Sequence, residues 1–251
     1  MIIDGHAHVL AADYGSVEVL LRQLDEAGID RVLCVPGGMV DVRQMSRVAL
    51  GTFRPNPNIP NHLVYDALDR HGGRVYGFVC INPRAGAAAL GMMEDRFRHG
   101  CRGVKLAPNV HQFGFGEPVL MDVAAACGER GFPVYTHVLP QPGSTTADFA
   151  ALARRCPRTN FILGHMGFGP GDADAIDFAA EVANLYLETS QGNYLIMRLA
   201  LERLGPGKLI FGSEFPLSHP TAELVKVRLL DPAAHEAILA GNILRLLGVT
   251  A

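Results

Sequence analysis

Eight short apolar runs are spaced along the chain, with longer amphipathic stretches between them. The runs cover 2–9, 31–35, 75–81, 103–106, 133–138, 160–164, 185–188 and 209–212. Helical spacing marks 16–27, 63–70, 87–99, 119–130, 146–155, 173–183 and 194–204, with two more stretches in the tail, 221–229 and 233–247. Strands alternating with helices predict βαβ units around a parallel sheet. Eight such units in 251 residues is the arithmetic of a closed barrel. The expected fold is therefore α/β, one (β/α)8 TIM barrel spanning 1–251 as a single domain. Aromatics are only 7% of the chain and Trp is absent, so the core is aliphatic. That suits a parallel sheet covered on both faces. An open doubly wound sheet would need a Gly-rich phosphate turn near its first strand, and Asp4-Gly5-His6-Ala7-His8 is not one.

The net charge is -3 and no basic block stands out, which argues against nucleic acid as a partner. No apolar run approaches the roughly 20 residues that a membrane helix needs. No charged leader precedes the first strand, and the expectation is a cytoplasmic protein acting on a small-molecule substrate. The five cysteines are odd in number, far apart and without a CxxC pair, so they read as reduced, buried thiols.

The histidines narrow the reading further. His6 and His8 lie two apart on the first predicted strand. Side chains alternate across a strand, so both face the same way, and Asp4 has the same parity. A barrel interior holds polar side chains only if they are paired or bound to something. Neutral imidazole is a good ligand for zinc and similar ions, so the pair makes a start for a metal site. Other strand ends add to it. His137 closes the fifth run, His165 follows the sixth, Glu214 follows the eighth, and Lys105 sits inside the fourth. The C-terminal ends of barrel strands converge on one pocket, where these groups can meet around a single ion. His62, His71, His99, His219 and His235 fall in loops or helices and read as surface residues. His111 is set apart because it follows the fourth strand at the barrel mouth.

One connection is long. Residues 37–60 are rich in Gly, Pro, Asn and Arg and follow a strand's C-terminal end. Loops of that length in compact domains are usually functional or disordered. This one should hang over the mouth, where Arg43, Arg47 or Arg54 could meet an anionic substrate group.

Taken together, several motifs resemble the amidohydrolase superfamily, in the amidohydrolase-related branch of metal-dependent hydrolases and decarboxylases. They are Asp4-Gly5-His6-Ala7-His8, Gly77-Phe78-Val79-Cys80-Ile81-Asn82-Pro83, Gly103-Val104-Lys105-Leu106, Thr136-His137, Gly164-His165-Met166-Gly167, Phe211-Gly212-Ser213-Glu214-Phe215-Pro216, and the tail 238–247. Their order covers almost the whole chain. The resemblance implies that His6, His8 and His137 are metal ligands, and that His165 binds metal or steers substrate. It implies that Glu214 contacts the metal and serves as general base. The family usually has an aspartate there; glutamate keeps the carboxylate and adds a methylene. Lys105, His111 and Arg54 read as substrate contacts, with Lys105 alternatively in a buried ion pair with Glu214 or Glu188. Asp4 reads as structural, or as the acidic partner that fixes a ligand imidazole's tautomer. Asn242 and Arg245 read as anchors of the last helix. The implied cofactor is one divalent metal ion, zinc ahead of manganese and iron, and the implied assembly is a homodimer.

The leading expectation is hydrolysis of a small-molecule amide, lactone or ester. A metal-activated water would attack, Glu214 would move its proton, and His165 with the metal would polarise the scissile carbonyl. The alternative is decarboxylation or hydration of a small aromatic or unsaturated carboxylic acid, with a loop arginine on the anion. A third reading, from another class, is a barrel that has lost its metal and only binds a ligand.

Overall fold

The computed structural model describes residues 1–250. Nine strand segments form a closed parallel barrel: β1 (Ile3–Val9), β2 (Arg31–Pro36), β3 (Val75–Gly77), β4 (Val79–Ile81), β5 (Val104–Leu106), β6 (Val134–Thr136), β7 (Phe161–Leu163), β8 (Leu185–Glu188) and β9 (Leu209–Ile210). Pairing runs β1-β2-β3 and then β4 through β9 in order. β3 and β4 are halves of one barrel strand, interrupted at Phe78. The first half pairs with β2 and the second with β5. Phe78 N–H donates back to Cys34 O at 3.1 Å, while Val79 N–H donates forward to Gly103 O at 3.1 Å. The last strand region closes on the first, with Gly5 N–H on Phe211 O and His8 N–H on Phe215 O, both at 2.8 Å. Eight barrel strands result, as the eight apolar runs predict.

Eleven α-helical segments accompany the strands: α1 (Val17–Ala27), α2 (Met45–Ala49), α3 (His62–His71), α4 (Ala87–Arg98), α5 (Pro108–His111), α6 (Val119–Arg130), α7 (Thr146–Arg155), α8 (Ala173–Glu181), α9 (Tyr194–Leu204), α10 (Pro220–Arg228) and α11 (Asn242–Leu247). Ser16, Thr145, Asp172 and Asn193 cap α1, α7, α8 and α9 with their side chains, occupying backbone N–H groups that a helix start leaves free. None of the described helices is long and apolar enough to cross a membrane. All five cysteines are free and buried.

The sheet is buried on both faces, which explains why its strands read as near-continuous apolar runs. Val104, Leu106, Val134, Phe161, Leu163 and Leu187 face outward into the main core. Leu33, Val35, Phe78, Tyr135, Ile162 and Ile210 pack with Ile243, Leu244 and Leu247 of α11. The C-terminal helix thus lies against the barrel interior. Asn242 fastens it, donating through Nδ2 to Pro206 O and Leu209 O, both at 2.7 Å.

β1 corrects one expectation. Its register against β2 shifts between Asp4 and Ala7, so strict alternation fails there. Asp4 pairs with Val32, a residue of the outer core, and does not share the face of His6 and His8. The long loop holds a 3-10 turn over Val42–Gln44 and the short helix α2.

Candidate metal centre

The C-terminal ends of the barrel strands place the functional groups. His6 and His8 come from β1, Lys105 from β5, His137 from just beyond β6, His165 from beyond β7, and Glu214 from beyond β9. Glu214 is the hub. Its Oε2 lies 2.8 Å from His6 Nδ1 and 3.9 Å from His165 Nε2, and its Oε1 lies 3.5 Å from His8 Nε2. One nitrogen or oxygen from each of His6, His8 and Glu214 falls within a 4.8 Å cluster, and the same holds for His6, His165 and Glu188. His137 stacks loosely beside His165, with ring centroids 6.2 Å apart.

Hydrogen bonding fixes what these groups offer. His8 Nδ1 lies 3.2 Å from Pro36 O. A carbonyl only accepts, so Nδ1 carries the proton of the neutral ring. Burial pushes the His8 pKa down, keeping the ring neutral despite Glu214. Its bare Nε2 therefore faces a carboxylate, an arrangement that calls for a cation between them. Burial, with Lys105 and His165 nearby, pushes His137 well below the usual histidine range. Its buried Nε2 has no hydrogen-bond partner, nor has the buried Oε2 of Glu214. Burial opposes ionisation of Glu214, but His6, His165 and His8 outweigh it and hold the carboxyl well below its usual range. Lone pairs converging on an ionised carboxylate fit a divalent cation, and imidazole with carboxylate is a donor set that zinc accepts.

Two further residues complete the floor, Tyr135, which the sequence reading did not single out, and Glu188, which it named only as a possible partner of Lys105. Glu188, at the end of β8, is fully buried. Its Oε2 accepts from Tyr135 OH at 2.8 Å and Ser190 Oγ at 2.8 Å, and its Oε1 accepts from Ser190 N–H at 2.6 Å. Tyr135, on β6, places its hydroxyl 2.7 Å from His6 Nδ1. A parity signal existed for both: Tyr135 lies two before His137, and Glu188 two before Ser190. Two glycines make room for them. A Cβ at Gly212 would overlap Glu188 Oε1, and one at Gly164 would overlap the Tyr135 hydroxyl. His165 and Glu214 both sit at positive φ, 60° and 59°. Backbone strain of this kind clusters at functional sites and persists only where surrounding contacts hold it. Here His165 N–H reaches Glu188 Oε2 at 3.3 Å, and Glu214 N–H donates to His6 O at 2.8 Å.

Above the floor lies a cavity of about 400 Å³. His8, Lys105, His137, His165 and Glu214 line its base, and Leu10, Met39, Val42, Val138, Leu139 and Phe168 are among its apolar walls. Lys105 is the one lysine or arginine among the described lining residues. Its contacts differ from the expected ion pair. Nζ lies 3.3 Å from His6 Nε2 and 4.0 Å from the Tyr135 ring centroid. Burial pushes its pKa down to about 8.

Three further expectations meet a different placement. Arg54 is exposed and does not line the cavity. Arg43 pairs with Asp41 on the loop surface, and Arg47 is exposed, so the loop presents Met39, Val40, Val42 and Met45 to the cavity instead. His111 is buried and lies outside the lining. Asp4 accepts from the backbone N–H of His6 at 3.1 Å and of Ser213 at 2.9 Å, rather than from an imidazole. It ties the first strand to the segment carrying Glu214. Burial raises its pKa to about 7.

Comparison with known proteins places this geometry. The family pattern described as amidohydrolase matches residues 3–249. A search of curated sequences finds no match. Among solved structures, the fold is similar to an uncharacterised TIM-barrel protein from Bordetella bronchiseptica, with TM-score 0.78, 18% identity and 98% of both chains covered. It is similar to a probable 2-pyrone-4,6-dicarboxylic acid hydrolase from Acinetobacter baumannii, with TM-score 0.70, 17% identity, and 98% of this chain and 99% of that one covered. It is also similar to a dihydroxybenzoic acid decarboxylase from a Polaromonas species with bound manganese, with TM-score 0.69, 16% identity, and 98% and 96% covered.

Proposed function

The chain is an enzyme of the amidohydrolase family, and we propose that it hydrolyses a small-molecule amide, lactone or ester with one divalent metal held by His6, His8, His137 and Glu214. The observation that carries this reading is an ionised Glu214 facing the imidazoles of His6, His8 and His165 at the base of a largely apolar cavity, with His137 lining the same base. Zinc suits this donor set best, with manganese and iron behind it. A bound divalent ion supplies hydroxide near neutral pH by lowering the pKa of its water.

The chain's own residues do the rest. Glu214, held as a carboxylate, accepts the proton released by the attacking water. The apolar walls exclude competing water and hold an uncharged or singly charged substrate body. Decarboxylation of a small carboxylic acid is the second reading. Lys105 favours it, because its ammonium at the cavity base gives a substrate carboxylate one partner.

Glu214→Gln tests the main reading. Metal content measured on untagged protein should stay substantial, while hydrolysis across a panel of lactones, esters and amides should fall at least about 100-fold, the scale of a lost general base. Full activity in the variant overturns the role. Release of carbon dioxide from aromatic carboxylates, without hydrolysis of any panel member, would select the second reading.

A further inference from the structure

Glu188, Ser190 and His165 form a chain of contacts beside the proposed ligands. Ser190 Oγ lies 2.8 Å from Glu188 Oε2 and 3.0 Å from His165 Nδ1. Four donor contacts converge on the Glu188 carboxyl: Ser190 N–H, His165 N–H, Tyr135 OH and Ser190 Oγ. Backbone N–H groups only donate, and they occupy both of its oxygens. A proton on either oxygen would compete with them, so Glu188 is a carboxylate, and a carboxylate only accepts.

Ser190 has one hydroxyl proton, and it goes to Glu188. What remains on the oxygen toward His165 is a lone pair. His165 Nδ1 is then the donor, and in a neutral imidazole a donor at one nitrogen leaves the other bare.

We propose that Glu188, acting through the Ser190 hydroxyl, is a positioning residue that fixes His165 as the Nδ1–H tautomer, so that a bare Nε2 faces the cavity as an acceptor. This changes the role expected from the sequence. A bare Nε2 holds no proton to give a carbonyl oxygen, so His165 cannot polarise a substrate carbonyl by donation. It can only receive a proton or a cation, 3.9 Å from Glu214 Oε2. Tyr135 does the same for His6. Its hydroxyl donates to Glu188 Oε2, so His6 Nδ1 donates to it, and His6 Nε2 accepts from the Lys105 ammonium. One buried carboxylate thus orients two imidazoles through two hydroxyls.

The tautomer is read without substrate or metal, so it stands or falls apart from the hydrolase reading. Chelator-treated, histidine-15N-labelled protein is studied by long-range proton–nitrogen NMR at a pH where the ring is neutral. The signals lost in His165→Asn identify this ring. Wild type should show proton attachment at Nδ1. Ser190→Ala should move His165 toward the Nε2–H form that histidine prefers in water, and Ser190→Thr, which keeps the hydroxyl, should restore the wild-type pattern. Glu188→Gln offers an amide donor to Ser190 and should also turn the tautomer toward Nε2–H. An Nε2–H pattern in wild type overturns the proposal, whatever the variants do. A wild-type pattern that persists in folded Ser190→Ala overturns the relay through Ser190.

Discussion

Tyr135→Phe isolates one oxygen at the centre of the site. The side chain is fully buried, and phenylalanine keeps its ring and packing. What goes is a hydroxyl 2.8 Å from Glu188 Oε2 and 2.7 Å from His6 Nδ1. A hydrogen bond to a charged group contributes about 1.5–3 kcal/mol, and one between neutral groups about 1 kcal/mol. Two things offset the loss. Glu188 Oε2 keeps Ser190 Oγ and His165 N–H, while His6 Nδ1 is left with a 2.8 Å contact to Glu214 Oε2 that lacks hydrogen-bond geometry. The phenol's own desolvation cost also disappears. The net destabilisation is about 2 kcal/mol. In a chain of this size each kcal/mol moves Tm by about 2–4 °C, giving a fall of about 4–8 °C. The chain has no Trp, so thermal unfolding is followed by far-ultraviolet circular dichroism on chelator-treated protein. A Tm within about 1 °C of wild type would refute the hydroxyl's place in the network. A loss above about 5 kcal/mol would show that the ring itself had moved, which also contradicts the isosteric reasoning.

Gly212→Ala should destabilise by about 1–3 kcal/mol, the usual cost of overpacking, because its Cβ would press on the Glu188 carboxylate and His6 Cβ. Gly207→Ala, with open space at its Cβ, should lie within about 0.5 kcal/mol of wild type; equal urea midpoints for the two variants would contradict the crowding. Lys105→Met tests the buried ammonium through pH. The folded-state pKa is about 8 against an ordinary lysine value of 10.5, so between those values the folded chain binds fewer protons than the unfolded one. Stability from this group is therefore lowest below pH 8 and rises through the window. Wild type should gain about 3 kcal/mol on Lys105→Met between pH 7 and 11, measured as the difference in chelator-treated unfolding free energies. A flat difference would place the ammonium in water.

Much of the barrel was legible because buried parallel strands leave apolar runs at regular intervals. The cluster at the barrel mouth was legible because His6 and His8 share parity and His137 and His165 end strands. What escaped notice did so for local reasons. The run 75–81 is apolar throughout, and nothing in it marks Phe78 as the point where pairing passes from β2 to β5. Parity reasoning assigned Asp4 to the wrong face because a register shift between Asp4 and Ala7 suspends alternation. Tyr135 was hidden inside an apolar strand, although its step from His137 pointed inward. Arg54 and His111 lie in a loop and a one-turn helix, where no period fixes side-chain direction. Loop residues 37–60 carried three arginines, yet hydrophobic surface from Met39 to Met45 faces the cavity, since apolar walls gain from leaving water while arginines do not.

The barrel seam has a consequence for synthesis. His6 meets Glu214 across it, and the two are about 200 residues apart in the chain. At about 5–20 residues per second, a ribosome delivers the carboxylate about 10–40 s after the histidine. Through that interval the first strand has an unpaired edge and its imidazoles lack their counter-charge. A chain stopped short of residue 214 carries His6, His8 and His165 without the carboxylate they face. If the centre holds a metal as proposed, its retention would mark a finished chain, separating complete from prematurely ended product before any activity is measured.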